Sequence, residues 1–343
     1  MVLPRFPEPR RLAERASVRS DTLPSAAQRF GAAPGQLRVG TPIETDVLRK
    51  EDMTLGRFRY QGYALGYELH GEGDRVIVLT NGLLLDAGVN RQLARSLAAH
   101  GFRVVLLDLL GHGTSDKPHH ATQHRMDRYA RQVVALLDAL GVARAVVGGM
   151  SLGANVSLHV AVQAPDRVVA LLVEMPLLEW ATPAAASLFV PLLLAVSVGR
   201  RLFRFVTFLG RRLPRTGIDL VDSVLGTISM EPEAIAAVLH GILVGPVVPE
   251  IEERCAIAAP TLIIGHEHDL IHPFSDAENL AKQIPHARLV HARSIFELRF
   301  DPDRLTQEIV RFLDDVFGVP EPAGGTGSSS PLGRMSPWGG KRG

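Results

Sequence analysis

The chain contains 343 residues, of which 46% are hydrophobic, and its formal net charge is +1. This length and composition suffice for a large buried core, whereas the near-zero net charge gives no overall field that would favour nucleic acid. A single cysteine, Cys255, excludes an internal disulfide framework and fits a reducing compartment. The N-terminal residues lack the apolar stretch of a secretory signal, so we expect a cytoplasmic protein.

Both ends of the chain have the composition of disordered segments. Residues 1–52 are rich in proline and arginine without a sustained apolar period, and residues 320–343 are of low complexity. Such segments do not bury enough apolar surface to offset the entropy of ordering. We therefore expect a disordered arm and a disordered tail on either side of a folded region.

The folded region alternates predicted strands with predicted helices. Apolar runs bounded by turn residues predict strands at 58–60, 64–69, 76–80, 102–108, around 146, 168–173, 261–265 and 288–290. Helical apolar periodicity predicts helices at 93–100, 126–140, 275–284 and 303–317. Continuous apolar strands separated by helices indicate a mostly parallel, doubly wound α/β sheet of about eight strands, covered by helices on both faces.

Residues 179–249 interrupt this alternation, and we expect them to form a helical cap between core segments 53–178 and 250–319. Residues 181–199 carry no charge, but two prolines within them argue against a straight membrane span. The stretch that follows is basic and contains interleaved phenylalanines but no acid; its arginines are Arg200, Arg201, Arg204, Arg211, Arg212 and Arg215. Such a helix either lies on anionic lipid, giving peripheral membrane contact, or packs its apolar face on the core, which is the commoner case.

The segment Gly149-Met150-Ser151-Leu152-Gly153 fits the pattern G-x-S-x-G, between a predicted strand and a predicted helix. A turn this sharp holds the serine in a strained conformation, and a Cβ at either glycine would collide with neighbouring backbone. The turn exposes the serine hydroxyl and directs the first N–H groups of the helix toward the atom it attacks. The alternative is an ordinary strand-to-helix turn with an incidental serine.

With this elbow, two further blocks make residues 57–317 resemble the α/β-hydrolase fold superfamily. Residues 108–118, DLLGHGTSDKP, are similar to the D-x-x-G-x-G-x-S-x-x-P segment of that fold, and residues 265–273, GHEHDLIHP, are similar to the segment that carries its acid. The resemblance implies Ser151 as nucleophile and Asp269 as the acid that orients a base. It also implies an oxyanion hole formed by the N–H groups of Leu83 and Leu152, with Glu174 as a reserve acid.

The base is the departure from the family pattern. The triad order Ser, Asp or Glu, His places the histidine after the last strand, but residues 292–343 contain none. Three groups are candidates: His291 at the end of the last strand, His272 shortly after Asp269, and Glu297 in the expected loop. None of the histidines stands where the motif requires one, and a salt bridge to Arg299 or Arg293 is the ordinary role for Glu297.

Other histidines carry weaker signals. His119, His120 and His124 suggest a metal only by composition, without matching carboxylate or cysteine spacing, so we expect a solvated loop and no metal site. His266 and His268 flank the implied acid and at most line the site entrance.

We therefore expect a serine hydrolase that acts on a small hydrophobic ester through an acyl-enzyme and needs no cofactor. The alternative is a related protein with impaired catalysis that binds a hydrophobic ligand or a partner. Acyl transfer to an acceptor other than water needs the same residues.

Overall fold

The structure is a computed structural model, and it describes residues 48–50, 53–267, 269 and 271–318. The predicted tail and most of the predicted arm lie outside the described residues. Leu48–Lys50, predicted to belong to the disordered arm, instead form a strand. The prediction is wrong at these residues because their backbone pairs antiparallel with Met53–Leu55.

One sheet of nine strands organises the described chain, in the order β1-β2-β3-β5-β4-β6-β7-β8-β9. The first three strands run antiparallel to their neighbours, and the six from β4 to β9 are parallel. The strands are β1 (Leu48–Lys50), β2 (Met53–Tyr60), β3 (Tyr63–His70), β4 (Val76–Thr80), β5 (Arg103–Leu107), β6 (Ala145–Met150), β7 (Val168–Glu174), β8 (Thr261–His266) and β9 (Ala287–Ala292). The predicted mostly parallel sheet is confirmed.

Eleven α-helices of the described residues cover the sheet or follow its strands. They are α1 (Arg91–Ala99), α2 (Met126–Ala139), α3 (Leu152–Gln163), α4 (Thr182–Val198), α5 (Arg200–Gly210), α6 (Asp219–Ile228), α7 (Pro232–Val244), α8 (Ile251–Cys255), α9 (Phe274–Gln283), α10 (Glu297–Phe300) and α11 (Asp303–Phe317). Short 3₁₀ turns precede α1 and α2 and follow α3.

The core consists of two apolar layers, one on each face of the sheet. Successive residues of a strand belong to opposite layers: Val76 and Val78 pack with α2 and α3, whereas Ile77 packs with α1 and α11. This alternation follows from strand geometry, since successive Cβ atoms point to opposite faces. Because both faces are covered, the parallel strands are apolar at nearly every position.

The segment between β7 and β8 contains α4, α5, α6 and α7, and we call residues 179–249 the helical insertion. Its own apolar cluster joins α4 to α7 through residues such as Val196 and Leu239. Two hydroxyl groups of α6 attach the insertion to the loop after β4: Thr227 donates to the carbonyl of Leu84, and Ser223 accepts the N–H of Asp86. The insertion therefore lies at the carboxyl edge of the parallel strands.

No single helix among the described residues has the length and hydropathy to cross a membrane. Two helix pairs reach that length and hydropathy only when joined, α4 with α5 and α6 with α7, and the pairs are bent by 94° and 102°.

Candidate active site

The turn between β6 and α3 has the strained geometry expected of an elbow. Ser151 at its tip has φ +55° and ψ −109°, a conformation that residues with a side chain rarely adopt. A Cβ at Gly149 or at Gly153 would lie 2.5 Å from the carbonyl oxygen of Thr80 in β4. Only glycine at both positions lets the turn approach the neighbouring strand this closely.

The structure brings Ser151, His272 and Asp269 into one chain of hydrogen bonds. Ser151 Oγ lies 2.8 Å from His272 Nε2. His272 Nδ1 lies 2.9 Å from Asp269 Oδ2, on the opposite side of the ring. With the imidazole proton on Nδ1, the ring donates to the carboxylate and its Nε2 accepts the hydrogen bond of the serine hydroxyl. This is the connectivity by which a histidine removes a proton from serine.

His272 reaches Ser151 because of how the loop after β8 turns. Asp269 Oδ1 accepts the N–H groups of Ile271 and His272, at 2.8 and 3.1 Å, and this fixes a tight turn around the carboxylate. Helix α9 begins only at Phe274, so His272 belongs to the loop between β8 and α9. Of the three candidate bases, His272 is the one that the structure places beside Ser151.

Asp269 is held as a carboxylate. Burial by itself would raise the pKa of this group, but the hydrogen bond and charge of His272, together with the two backbone N–H donors, lower it to about 2. Its side chain and that of His272 are each 11% exposed. A carboxylate in this position fixes the ring orientation and favours a positive charge on the imidazole.

The other two base candidates are engaged elsewhere. His291 Nε2 lies 3.2 Å from Glu267 Oε1, and its ring contacts Phe274 edge-on, so it stays at the exposed end of β9. Glu297 binds the guanidinium of Arg304 and accepts the N–H of Arg293. Neither side chain contacts Ser151, and the salt bridge expected for Glu297 exists with a partner other than the two predicted.

A strained turn after β4 lies beside the elbow. Leu85 N–H donates to the carbonyl of Gly82, and Leu84 within this turn has φ +62°. A Cβ at Gly82 would lie 2.7 Å from Met150 Cε, so the turn packs directly on the residue before the serine. Among the described residues the N–H of Leu83 has no backbone acceptor. Leu152 opens α3, where the first N–H groups have no partner within the helix.

Asn81 supports this turn from below. Its side-chain amide donates to the carbonyls of Gly82 and Leu85, both at 2.9 Å, and its oxygen accepts the N–H of Leu109 at 3.2 Å. The residue is 1% exposed, so these bonds are not contested by water. The Asn81 amide thus fixes the turn after β4.

A buried ion pair under the elbow was not anticipated from sequence. Arg299 Nη2 lies 2.7 Å from Glu174 Oε2 and 2.8 Å from Met150 Sδ. Burial would raise the pKa of Glu174, but the charges of Arg299 and the nearby His266 lower it. Glu174 also accepts the N–H of Ser151 through its backbone carbonyl. The Glu174 carboxylate binds Arg299, and the Asp269 carboxylate binds His272. Glu174 therefore does not act as a reserve for Asp269.

The remaining histidines have structural roles where they are described. His266 is 1% exposed and bonds the carbonyl of Ser294, so it does not line an entrance, and His268 lies outside the described residues. His124, predicted in a solvated loop, is buried between Tyr129 Oη and the carbonyl of Pro118. Within the described part of the chain, no three histidine, cysteine or carboxylate side chains cluster as a metal site would require.

Comparison with known proteins agrees with this architecture. The model of the alpha/beta hydrolase fold family matches residues 75–196. An uncharacterized protein of Mycobacterium tuberculosis is 28% identical over 280 residues, covering 74% of this chain and 79% of that protein. Zearalenone hydrolase of Bionectria ochroleuca is 33% identical over 108 residues, covering 30% of this chain and 39% of that protein. The enol-lactonase from Burkholderia xenovorans superimposes with a TM-score of 0.61 at 25% identity, covering 75% of this chain and 99% of that chain.

Proposed function

Because the chain belongs to the α/β-hydrolase fold superfamily, we propose that it is a serine hydrolase that cleaves hydrophobic esters through an acyl-enzyme on Ser151. The fold alone does not carry this proposal, since the same fold supports many chemistries. The observation that carries it is the arrangement of Ser151 Oγ 2.8 Å from His272 Nε2, with Asp269 2.9 Å from His272 Nδ1. Relatives that are named as a hydrolase and an enol-lactonase support hydrolysis as the reaction class.

In the acylation step, Ser151 Oγ attacks the ester carbonyl carbon while His272 Nε2 accepts the hydroxyl proton. The carbonyl electron pair moves onto oxygen, and the resulting oxyanion is stabilised by the N–H groups of Leu152 and Leu83. Asp269 stabilises the imidazolium without taking its proton. His272 then donates the proton to the departing alkoxide as the bond between the carbonyl carbon and the alcohol oxygen breaks.

In the deacylation step, a water molecule takes the place of the alcohol. His272 Nε2 accepts a proton from water, whose oxygen attacks the acyl carbon. Collapse of the second oxyanion breaks the bond to Ser151 Oγ, and His272 returns the proton to the serine. The acid is released and the enzyme is restored, so no cofactor takes part in the proposed cycle.

The surroundings of the elbow support a hydrophobic substrate. Leu83 and Leu84 pack against the apolar cluster of the helical insertion, which includes Phe189 and Met230. An acyl or alcohol chain entering between this turn and the insertion would meet aliphatic and aromatic side chains. Burial of such a chain contributes about 25 cal/mol per Å² of apolar surface.

A second candidate function is binding without catalysis, and one observation favours it. The position at which the superfamily keeps its histidine, between residue 292 and the end of the chain, has none. A protein that had lost its base would keep the elbow and the insertion as a hydrophobic ligand site. The two functions differ in whether His272 activates Ser151.

Labelling with a fluorophosphonate probe separates them, because the probe reacts only with an activated serine. We expect the wild-type protein to be labelled, and Ser151→Ala and His272→Ala to lose labelling. His291→Ala serves as the matched control, since it removes an exposed histidine that contacts Glu267, and it should be labelled like wild type. A folded wild-type protein without labelling would favour the binding function, and loss of labelling in His291→Ala would contradict His272 as the base.

A further inference from the structure

Large exposed hydrophobic side chains are concentrated on the helical insertion. Of twenty such residues in the described part of the chain, sixteen lie between Trp180 and Val244. Scattered exposed hydrophobics are normal, whereas a concentration of them marks a surface that binds a partner or a membrane. The insertion therefore has a surface whose partner is absent from the structure.

Helix α5 shows this most clearly because it presents three different faces. Successive residues of a helix are rotated by about 100°, so side chains three, four and seven apart share a face. One face, with Phe203, Thr207 and Gly210, packs on the rest of the insertion. A second is basic and includes Arg200, Arg204 and Arg211. The third is apolar and exposed, and consists of Leu202 (64% exposed), Phe205 (61%), Val206 (40%) and Leu209 (53%).

This arrangement is the reverse of an ordinary surface helix. A helix that packs on a core buries its apolar stripe and exposes its polar face. In α5 the packed face consists of Phe203, Thr207 and Gly210, while the broader apolar stripe faces solvent. The sequence favoured a helix whose apolar face packs on the core, as the commoner case. Helix α5 does not pack in this way.

Helix α4 continues the apolar surface. One side of α4 packs on α7 through Val196 and its neighbours. The opposite side is exposed and contains Leu188 (50% exposed), Leu194 (59%) and Val198 (88%). No residue of α4 carries a charge, and α4 meets α5 at an angle of 94°. We call the exposed apolar residues of α4 and α5, with the arginines of α5 and its C-terminal loop, the α4–α5 surface.

The arginines of this surface have few carboxylate partners. Arg204 pairs with Glu233, and Arg211 lies 3.4 Å from Glu231. Among the described residues, Arg200, Arg201, Arg212 and Arg215 form no salt bridge. A groove of about 840 Å³ runs along the basic face, and its charged lining consists of Arg204, Arg211, Arg212, Glu231 and Glu233. The three arginines exceed the two carboxylates, so the groove is weakly basic next to the exposed Phe208.

From these observations we propose that the α4–α5 surface binds the face of an anionic lipid bilayer. An interfacial helix buries its apolar stripe among the acyl chains and places basic residues at the level of the phosphates. Arg201 borders the apolar stripe beside Phe205, and Arg200, Arg204 and Arg211 lie on the opposite side of α5, which places basic groups above a stripe that enters the acyl chains. A second copy of the chain fits less well, because a two-fold interface would bring the two arginine-rich helices together.

Binding to vesicles by the full chain tests the proposal, which is independent of the Ser151 chemistry. Sucrose-loaded vesicles of phosphatidylcholine, with or without about 30% phosphatidylglycerol, are sedimented with the protein at low and high salt. We expect binding only to the anionic vesicles, weakened by salt because exposed charges are screened beyond about 8 Å at physiological ionic strength. The protein with Ser151→Ala should bind like wild type, so failure of the proposed hydrolase function would not affect this readout.

Two variants examine the two parts of the surface. Phe205→Ser should lower the vesicle partition coefficient by about tenfold or more through lost apolar burial. Arg201→Gln should lower it by about fivefold, the effect of one arginine near an anionic surface. The matched controls are Ile251→Ser, an apolar residue 48% exposed outside the insertion, and Arg131→Gln, an exposed arginine on α2. Both controls should bind like wild type.

Other outcomes of the vesicle experiment would overturn the proposal. Equal binding to neutral and anionic vesicles, or an equal loss in the controls, would overturn the proposed role of the α4–α5 surface. Absence of binding together with a concentration-dependent dimer that Phe205→Ser dissolves would assign the surface to a second copy. The circular dichroism spectrum and the urea unfolding midpoint should be unchanged in Phe205→Ser and Arg201→Gln, which shows that the variants are folded.

Discussion

The loops that follow β8 and β9 hold charged groups at neighbouring strand ends, and they use them differently. After β8, Asp269 and His272 form a chain of hydrogen bonds that ends on the hydroxyl of Ser151. After β9, Arg299 forms a buried pair with Glu174 below the elbow and touches Met150, not the serine hydroxyl. In the proposed mechanism the first loop transfers the proton, whereas the second supports the elbow.

The difference teaches that a triad is defined by geometry and not by the order of its members along the chain. In the superfamily pattern, the loop after the last strand supplies the base. In this protein, the loop after the preceding strand supplies both the acid and the base in our proposal. After the last strand, where the superfamily pattern has its histidine, this chain has Glu297 and Arg299. Each of them forms an ion pair.

The largest effect that would test this contrast is expected from His272→Ala. Removing a triad base leaves only the oxyanion hole and substrate binding, so kcat for a hydrophobic ester should fall by about 10⁴-fold or more. Steady-state hydrolysis with a p-nitrophenyl ester measures it.

Glu297→Gln and His291→Ala are the matched changes around β9. Each should keep kcat within about twofold of wild type, because neither side chain contacts Ser151. A loss in either variant comparable to that in His272→Ala would return the base to the loop after β9.

Arg299→Met should mainly destabilise the protein. It leaves the buried Glu174 carboxylate without its cation, which costs about 3–5 kcal/mol of unfolding free energy in comparable pairs. The activity of the remaining folded protein should fall much less than in His272→Ala. Urea unfolding and kcat at a temperature below the transition measure the two quantities.

The double variant Glu174→Gln with Arg299→Met distinguishes support from chemistry. It removes the unpaired charge, so it should recover most of the unfolding free energy lost in Arg299→Met. Recovery of stability without any recovery of an abolished kcat would contradict a purely supporting role for Arg299.

A smaller effect is expected for Glu297→Gln on stability. The Glu297 carboxylate pairs with Arg304 and accepts the N–H of Arg293, and the hydrogen bond and charge of Arg304 lower its pKa although burial opposes this. Because the Arg304 side chain is 34% exposed, the pair is partly screened. The variant should lose about 1 kcal/mol of unfolding free energy. An equal loss at high and low salt would show that the charge of Glu297 is not what matters.

An effect of similar size is the pH dependence contributed by Asp269. Its pKa is about 2 in the folded chain, below the ordinary 3.8, so the unfolded chain binds more protons between these values. Stability from this group is therefore present above about pH 4 and is lost as the pH falls toward 2. Because the folded pKa is about 2, about 1 kcal/mol of this stability is lost between pH 6 and pH 3.

Comparing wild type with Asp269→Asn by chemical unfolding at pH 6 and pH 3 measures this contribution. The difference between the two proteins should shrink at the lower pH. A difference that grows as the pH falls would have the wrong sign for a carboxylate with a lowered pKa.

The sheet and the elbow are the parts that the sequence predicts well. Continuous apolar strands such as Val76–Thr80 can be buried only between two covered faces, and the predicted bounds of this strand match the structure. The glycines around Ser151 carry a steric requirement that the structure meets at Thr80. Local patterns therefore predict what depends on local geometry.

The role of His272 could not be predicted in this way. Its position depends on the turn that the two oxygens of Asp269 impose, with Ile271 and His272 as donors. The sequence shows the spacing of Asp269 and His272, but a helix starting two residues earlier would carry the same spacing. A D-x-x-H signal directly after a strand, weighed as a local acid–base pair, would have been the available clue.

The sequence also could not predict the direction in which the apolar face of α5 points. Helical periodicity shows that Leu202, Phe205 and Leu209 share a face, and it does not show what that face meets. The side that packs on the insertion is decided by Thr207, whose hydroxyl bonds the carbonyl of Met230, and by close approach at Gly210 to Ile228. Tertiary contacts of small residues outweigh the apolar stripe.

The three-residue spacing of Asp269 and His272 has a consequence for how the site assembles during folding. Loop-closure entropy grows with the length of chain between two groups that must meet. The contact between Asp269 and His272 closes almost no loop, whereas Ser151 and His272 are 121 positions apart. Only one long-range encounter is then needed to complete the arrangement, where a base drawn from the far end of the chain would require two. A single short segment of the chain therefore carries both Asp269 and His272 to the serine.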